Sequence, residues 1–166
     1  RADLSVRAPR TSPDELGLLT DSFNLMLTRI QEHTDERKQV EESLAFLAAI
    51  VHSSDDAIIG KDLQSRVLSW NVGAERMFGY TAAEMLGQPV NRLVSPDRPD
   101  EEPRVIEEVK QDHIRHFETI RIRKDGTPIE VSLTISPIKN AKGEIVGVSS
   151  IARDITQGKR AQDALE

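Results

Sequence analysis

The sequence predicts an α+β fold, a five-stranded antiparallel sheet with helices on one face, preceded by one long coiled-coil helix. Three observations carry that expectation. Residues from Asp14 to about His52 contain no proline and hold a strict heptad seam. After Ser53 the chain breaks into short apolar runs parted by turn residues. The helical patterns of that second stretch fall between the second and third of five strand candidates, which segregates helices to one side of an antiparallel sheet.

Composition narrows the function. At 166 residues, with 37% hydrophobic and 4% aromatic residues, the chain supports one modest core with material left over. A formal net charge of -6 argues against nucleic acid and against an anionic lipid surface, since both need clustered Lys and Arg. With no cysteine, disulfides, thiolate metal sites, cysteine nucleophiles and cysteinyl cofactor adducts are excluded. No apolar run reaches the roughly 18 residues a membrane span needs. The opening Arg1-Ala2-Asp3-Leu4 lacks a methionine, so a segment of a longer chain is expected.

Residues 1–13 are polar, carry Pro9 and Pro13, and read as a connector ending at a helix start. Thr11, Ser12 and Asp14 each suit a helix cap, and Pro13 suits a first helical position. Leu16, Leu19, Phe23, Met26, Ile30, His33, Arg37, Val40, Leu44, Leu47 and Val51 then follow at alternating steps of three and four. That period, with polar residues between, predicts a left-handed coiled coil; the expected partner is a second copy of the chain, paired in parallel. A single helix laid on a globular core would show a wider apolar stripe. His33 and Arg37 are the polar seam residues. They mark either a weak turn able to shift between two packings or a place where both side chains snorkel outward.

Beyond Ser53, Ala57-Ile58-Ile59-Gly60 and Arg66-Val67-Leu68-Ser69-Trp70-Asn71 flank Lys61-Asp62-Leu63-Gln64-Ser65, the pattern of a hairpin and its turn. A helix follows over Val72 to Phe78, closed by Gly79. Thr81 with Glu84 three residues later is a capping-box signature, and Gly87 ends that helix. Pro96, Pro99 and Pro103 punctuate a loop before a helix from about Glu102 to Asp112. His116 to Arg123 forms the third strand, with a turn at Lys124-Asp125-Gly126. Ile129, Val131, Leu133 and Ile135 alternate with Glu130, Ser132, Thr134 and Ser136, a half-buried strand. Asn140-Ala141-Lys142-Gly143 turns the chain into the last strand, Glu144 to Ile155, and Thr156 to Glu166 starts another helix.

With these residues in that order, the chain resembles the PAS sensor domain over residues 46–157. The resemblance lies in Trp70-Asn71 through Glu75-Arg76-Met77-Phe78-Gly79-Tyr80, and in Ala83-Glu84-Met85-Leu86-Gly87-Gln88. It continues in His116-Phe117-Glu118-Thr119, Arg123-Lys124-Asp125-Gly126 and Arg153-Asp154-Ile155-Thr156. Residues 1–45, through Asp14-Glu15-Leu16-Gly17 and Phe23-Asn24-Leu25-Met26, are similar to the second half of a HAMP module with its signalling coiled coil. Residues 158–166 look like the start of an exit helix to a transmitter. The resemblance implies the cytoplasmic part of a bacterial inner-membrane receptor, attached to the membrane only through an upstream segment. It also implies a downstream histidine kinase more often than a diguanylate cyclase or another PAS domain.

Catalysis leaves no footprint in the sequence. The nine glycines are scattered among turns and form no phosphate-binding loop. His33 lies on the packing seam, His52 at a helix end, and Asp97, Asp100, Glu101 and Glu102 read as a solvated surface in a proline-rich loop. Trp70, Asn71, Met77, Phe78, Ile106 and Val109 are the candidates to line a ligand pocket. His33, Arg37, Asp154, Ile155 and Thr156 are the candidates to relay a signal. The resemblance leaves haem as an alternative through His113 or His116, and non-covalent flavin against Trp70, Asn71 and Phe78. The expectation is a segment without cofactor or metal and without catalytic residues of its own.

Overall fold

A computed structural model describes residues 3–9 and 15–163 of the chain, so the expected caps Thr11, Ser12 and Asp14, with Pro13, lie outside the described residues. The chain divides into two compact units, Arg1–Ala49 and Ile50–Glu166. In the first, residues 3–9 run beside α1 (Glu15–Ser53), the 39-residue helix that the heptad pattern predicts. Ala8 N–H donates to Asn24 Oδ1 at 3.0 Å, and Asn24 Nδ2 donates back to the Ala8 carbonyl at 2.9 Å. Arg7 Nη2 donates to Thr28 Oγ1 and Gln31 Oε1, each at 3.2 Å. The seam residues Leu19, Phe23, Met26, Ile30, Val40, Leu44 and Leu47 are exposed in the single chain. So are Leu18, Leu25, Phe46 and Ile50 off the seam. The helix therefore offers more apolar surface than a two-stranded seam alone covers.

The second unit holds the expected five strands: β1 (Ala57–Lys61), β2 (Val67–Trp70), β3 (Arg115–Ile122), β4 (Pro128–Lys139) and β5 (Ile145–Asp154). They form one sheet in the order β2-β1-β5-β4-β3, with every pairing antiparallel. Helices α2 (Val72–Phe78), α3 (Ala82–Met85) and α4 (Glu101–Lys110) lie between β2 and β3 in sequence, and α5 (Thr156–Asp163) follows β5. The alternation read in β4 places Ile129, Val131, Leu133 and Ile135 inward. Pairing then sets Leu133 against Ala152 and Ile135 against Ser150. These meet Val67, Trp70, Phe78, Met85, Val105 and Val109 in a single core.

Local chemistry fixes the connections. Thr81 and Glu84 form the reciprocal capping box, Gly79 closes α2 at φ 78°, and Gly87 takes φ 76°. Two elements depart from the sequence expectation. Lys61 is the buried end of β1, not part of the turn, because inward positions of a strand recur every second residue after Ala57 and Ile59. A 3-10 turn over Val90–Leu93 interrupts the expected loop, since Val90 and Leu93 both pack into the core.

Gly73 opens α2 against the incoming chain, where a Cβ would stand 2.3 Å from the Asp56 carbonyl oxygen and 2.8 Å from that of Ser54. Backbone atoms cannot swing aside, so Gly73→Ala is expected to destabilise the protein by about 1–3 kcal/mol. Gly158, on α5, has open space at its Cβ position, and Gly158→Ala should stabilise by up to about 1 kcal/mol. Urea unfolding followed by circular dichroism tests both, and a Gly73→Ala midpoint equal to wild type would contradict the close approach.

Candidate functional site

The arrival of α1 and the departure of α5 are tied to neighbouring parts of the sheet. Asn71, buried between β2 and α2, uses every hydrogen-bonding valence of its side-chain amide. Its Oδ1 accepts from Ile58 N–H and Ala74 N–H, both at 2.9 Å. Its Nδ2 donates to the carbonyls of Val51 at 3.0 Å and Asp56 at 3.1 Å. The last turn of α1, the start of β1 and the start of α2 thus share one side chain. Arg76 of α2 reaches Asp55 Oδ1 at 3.2 Å. Arg153 of β5 grips Asp56 with two bonds, Nε to Oδ1 at 3.1 Å and Nη2 to Oδ2 at 2.8 Å.

The residue after Arg153 starts the outgoing path. Asp154 Oδ1 accepts from Thr156 N–H at 2.9 Å, and its Oδ2 accepts from Arg123 at 3.1 Å. Partial burial disfavours the Asp154 carboxylate, yet the bonds from Thr156 and Arg123 together hold its pKa below the ordinary value. Ile155 N–H donates to the Glu130 carbonyl at 2.9 Å, and Glu130 N–H donates to Thr156 Oγ1 at 3.1 Å. Lys159, one turn into α5, meets Glu118 of β3 at 2.7 Å and Glu130 of β4 at 2.6 Å, and these bonds raise its pKa. Asp154, Ile155 and Thr156, the candidates for relay, therefore anchor α5 to β4 and to the β3–β4 turn.

The interior holds charges that the sequence did not announce. Lys61, 2% exposed, pairs with Glu102, 4% exposed, and Ser65 Oγ donates to the same Glu102 oxygen at 2.8 Å. Burial pushes the Lys61 ammonium below the usual lysine range, against the opposing pull of Glu102. Beside them Arg121 Nη2 lies 2.5 Å from Glu101 Oε1, off the hydrogen-bonding direction, while Thr119 Oγ1 donates to Glu101 Oε2 at 2.6 Å. Glu101 and Glu102 are thus not a solvated surface. They open α4, and the first turn of that helix carries them inward onto two cations. Asp97 and Asp100 stay exposed, on an outer groove of about 550 Å3 that Arg98 and Arg104 also line.

The pocket candidates all lie in the core. Trp70 donates through Nε1 to the Tyr80 carbonyl at 3.0 Å, and its ring centroid lies 5.8 Å from that of Phe78. Met77, Ile106 and Val109 pack in the same cluster. Phe78 alone of the six lines the interior cavity, with Leu133, Ile135, Lys61, Glu102 and Arg121. That cavity measures about 20 Å3, room for about one water. His113 and His116 are exposed; His116 Nδ1 sits 2.9 Å from Thr134 Oγ1. On α1, His33 and Arg37 are exposed in the single chain, with His33 Nδ1 3.8 Å from Glu36. The structure brings the Asp154 group together with Arg123 and Arg153, and leaves the His33 pair on a separate unit.

A five-stranded antiparallel sheet that receives one helix and dispatches another, with its short helices between the second and third strands, defines a sensor module of the PAS type. The chain belongs to the PAS domain family, whose model matches residues 55–157, and a HAMP domain model matches residues 1–32. The sensor protein FixL of Bradyrhizobium diazoefficiens is 31% identical over 141 residues, covering 80% of this chain and 28% of FixL. The signal transduction histidine-protein kinase AtoS of Escherichia coli is 28% identical over 164 residues, covering 89% of this chain and 26% of AtoS. The chain thus spans only about a quarter of each. The crystal structure of a PAS domain from Colwellia psychrerythraea superposes with a TM-score of 0.65 at 32% identity, over 69% of this chain and 98% of that one. The chain is a HAMP–PAS signal-sensing module of the kind found in sensor histidine kinases.

Removing one member of the Lys61–Glu102 pair strands the other in the core, so Glu102→Ala should destabilise by about 3–5 kcal/mol. The double replacement Lys61→Met with Glu102→Leu should recover most of that loss. Urea unfolding of the three proteins decides, and a single variant as stable as wild type would show that Lys61 reaches solvent without its partner.

Proposed function

We propose that this chain is the dimerising relay segment of a bacterial transmembrane receptor, a sensor histidine kinase in which separate domains carry out catalysis. Residues 1–45 serve as the end of the HAMP module and its signalling coil, 46–157 as the PAS domain, and 158–166 as the start of the path to the transmitter. The whole sits on the cytoplasmic side of the inner membrane. Two copies pair in parallel along the seam from Leu16 to Val51, and a shift between two packings of that coil passes through the PAS sheet to α5. The segment catalyses nothing itself.

One observation carries the reading. Asp56, just after α1, and Arg153, just before the Asp154-Ile155-Thr156 anchor of α5, are joined by two hydrogen bonds across 97 positions of sequence. A displacement of the incoming chain at Asp56 therefore acts on the strand end from which α5 departs. The exposed apolar seam supplies the surface for a partner helix, and a second copy matches it heptad for heptad. The reading needs neither haem nor flavin. An interior cavity of about 20 Å3 supports a core filled by its own side chains, against the roughly 300–1,000 Å3 typical of ligand sites.

His33 and Arg37 interrupt the seam, and a pair of states separated by a few kcal/mol suffices for switching. Replacing both with Leu should tighten the dimer by at least about tenfold, because the seam gains two apolar layers. Sedimentation of the chain at several concentrations measures this. In the full-length receptor the same variant should freeze the output in one state. A chain that is monomeric at every concentration, or a variant receptor that responds normally, would sink the proposal.

A further inference from the structure

One cleft gathers cations that the relay contacts do not require to stand side by side. It encloses about 260 Å3 and is lined by Arg76, Phe78, Gly79, Arg123, Lys124 and Asp125. Its walls are the end of α2 and the turn between β3 and β4. Lys124 N–H donates to the Phe78 carbonyl at 2.9 Å and joins them. Gly79 turns the chain at φ 78°, a left-handed conformation that favours glycine, and its Cα side faces Lys124 at ordinary contact distance. Three cations line this cleft against one carboxylate, in a chain of net charge -6. That carboxylate, Asp125, is turned onto its own loop, where its Oδ1 accepts from Thr127 N–H at 2.9 Å. Arg123 Nε is buried without any hydrogen-bond acceptor.

We propose that this cleft binds a small divalent oxyanion, a phosphate or dicarboxylate, through Arg76, Arg123 and Lys124. Guanidinium groups present planar forks that match such oxygens in pairs. The carboxylates that now engage the three cations, Asp55, Asp154 and Glu84, stand outside the lining. The Arg76–Asp55 pair is 58% and 96% exposed, and an ion pair so solvated yields readily to a stronger acceptor. Arg123 engages Asp154 through Nη2 alone, which leaves its Nη1 for a ligand. An oxyanion seated here draws Arg76 from Asp55 and Arg123 from Asp154, the carboxylates that flank the arrival of α1 and the departure of α5. Binding itself is independent of the relay reading; its effect on α5 rests on that reading.

The test is a titration of the 166-residue chain at constant ionic strength with sodium phosphate, then with sodium succinate, and with chloride as control. Nuclear magnetic resonance follows the Arg side-chain and backbone amide signals. The expected result is saturable shifts at Arg76, Gly79, Arg123 and Lys124 with one or both oxyanions, and faster hydrogen exchange in Thr156–Asp163 at saturation. Arg123→Gln should weaken binding by about tenfold or more, as loss of a charged bidentate donor does. Lys124→Gln, at an exposed side chain, should weaken it without disturbing α5, and so guards against a folding defect in the first variant. Shifts that do not saturate, equal shifts with chloride, or unaltered affinity in both variants would overturn the site. Saturable binding with unaltered exchange in α5 would overturn its control over that helix. The leucine variant of the coil tests the relay separately, because it needs no anion.

Discussion

The second unit depends on a constraint set by one buried amide. Two donors and two acceptors of the Asn71 side chain are all engaged, and they belong to the end of α1, the start of β1, the linker at Asp56 and the first turn of α2. No carboxylate of the same shape could both donate and accept in that way, and no apolar residue could do either. The close approach of Gly73 to the carbonyls of Ser54 and Asp56 follows from the same geometry. With the linker held there, Asp56 presents its carboxylate to Arg153, and the sheet becomes a short path between two helices far apart in sequence.

The interior reinforces that mechanical character. Beside the interior cavity the domain places two cations and two carboxylates, Lys61 with Glu102 and Arg121 with Glu101. Buried ion pairs contribute little net stability compared with well-packed apolar residues, although breaking one is costly. Their consequence here is directional: they fasten the first turn of α4 to β1 and β3, and so hold the helix that covers the core at a defined place. The helix over the core is thus latched from within by the domain's own charges.

Much of this was legible in the sequence because it depends on local rules. The heptad run from Leu16 to Val51, the alternation of β4, the Thr81–Glu84 capping box and the glycines at turns each declare themselves within a few residues. The antiparallel five-stranded sheet and the family followed from their succession, whereas the spatial order β2-β1-β5-β4-β3 emerged only in the structure. The buried charges were not legible. Glu101 and Glu102 sit among prolines and acids that look solvated, and their partners Lys61 and Arg121 are 41 and 20 positions away from them respectively. The one available signal was the period of two: Lys61 follows Ala57 and Ile59 on the inward face, and Arg121 follows Thr119. Asn71 stood out from its place beside Trp70, but its four partners became visible only when the sheet closed. The Asp56–Arg153 contact spans nearly the whole domain, and no local pattern encodes it.

A relay of this kind couples the incoming and outgoing helices through Asp56 and Arg153. Hydrogen exchange measured amide by amide in wild type and in Arg153→Gln tests it most directly. Coupling through this contact should give faster exchange both around residues 51–56 and in Thr156–Asp163, with the β3–β4 pairing unchanged. Faster exchange confined to residues 51–56, with α5 as protected as in wild type, would contradict it.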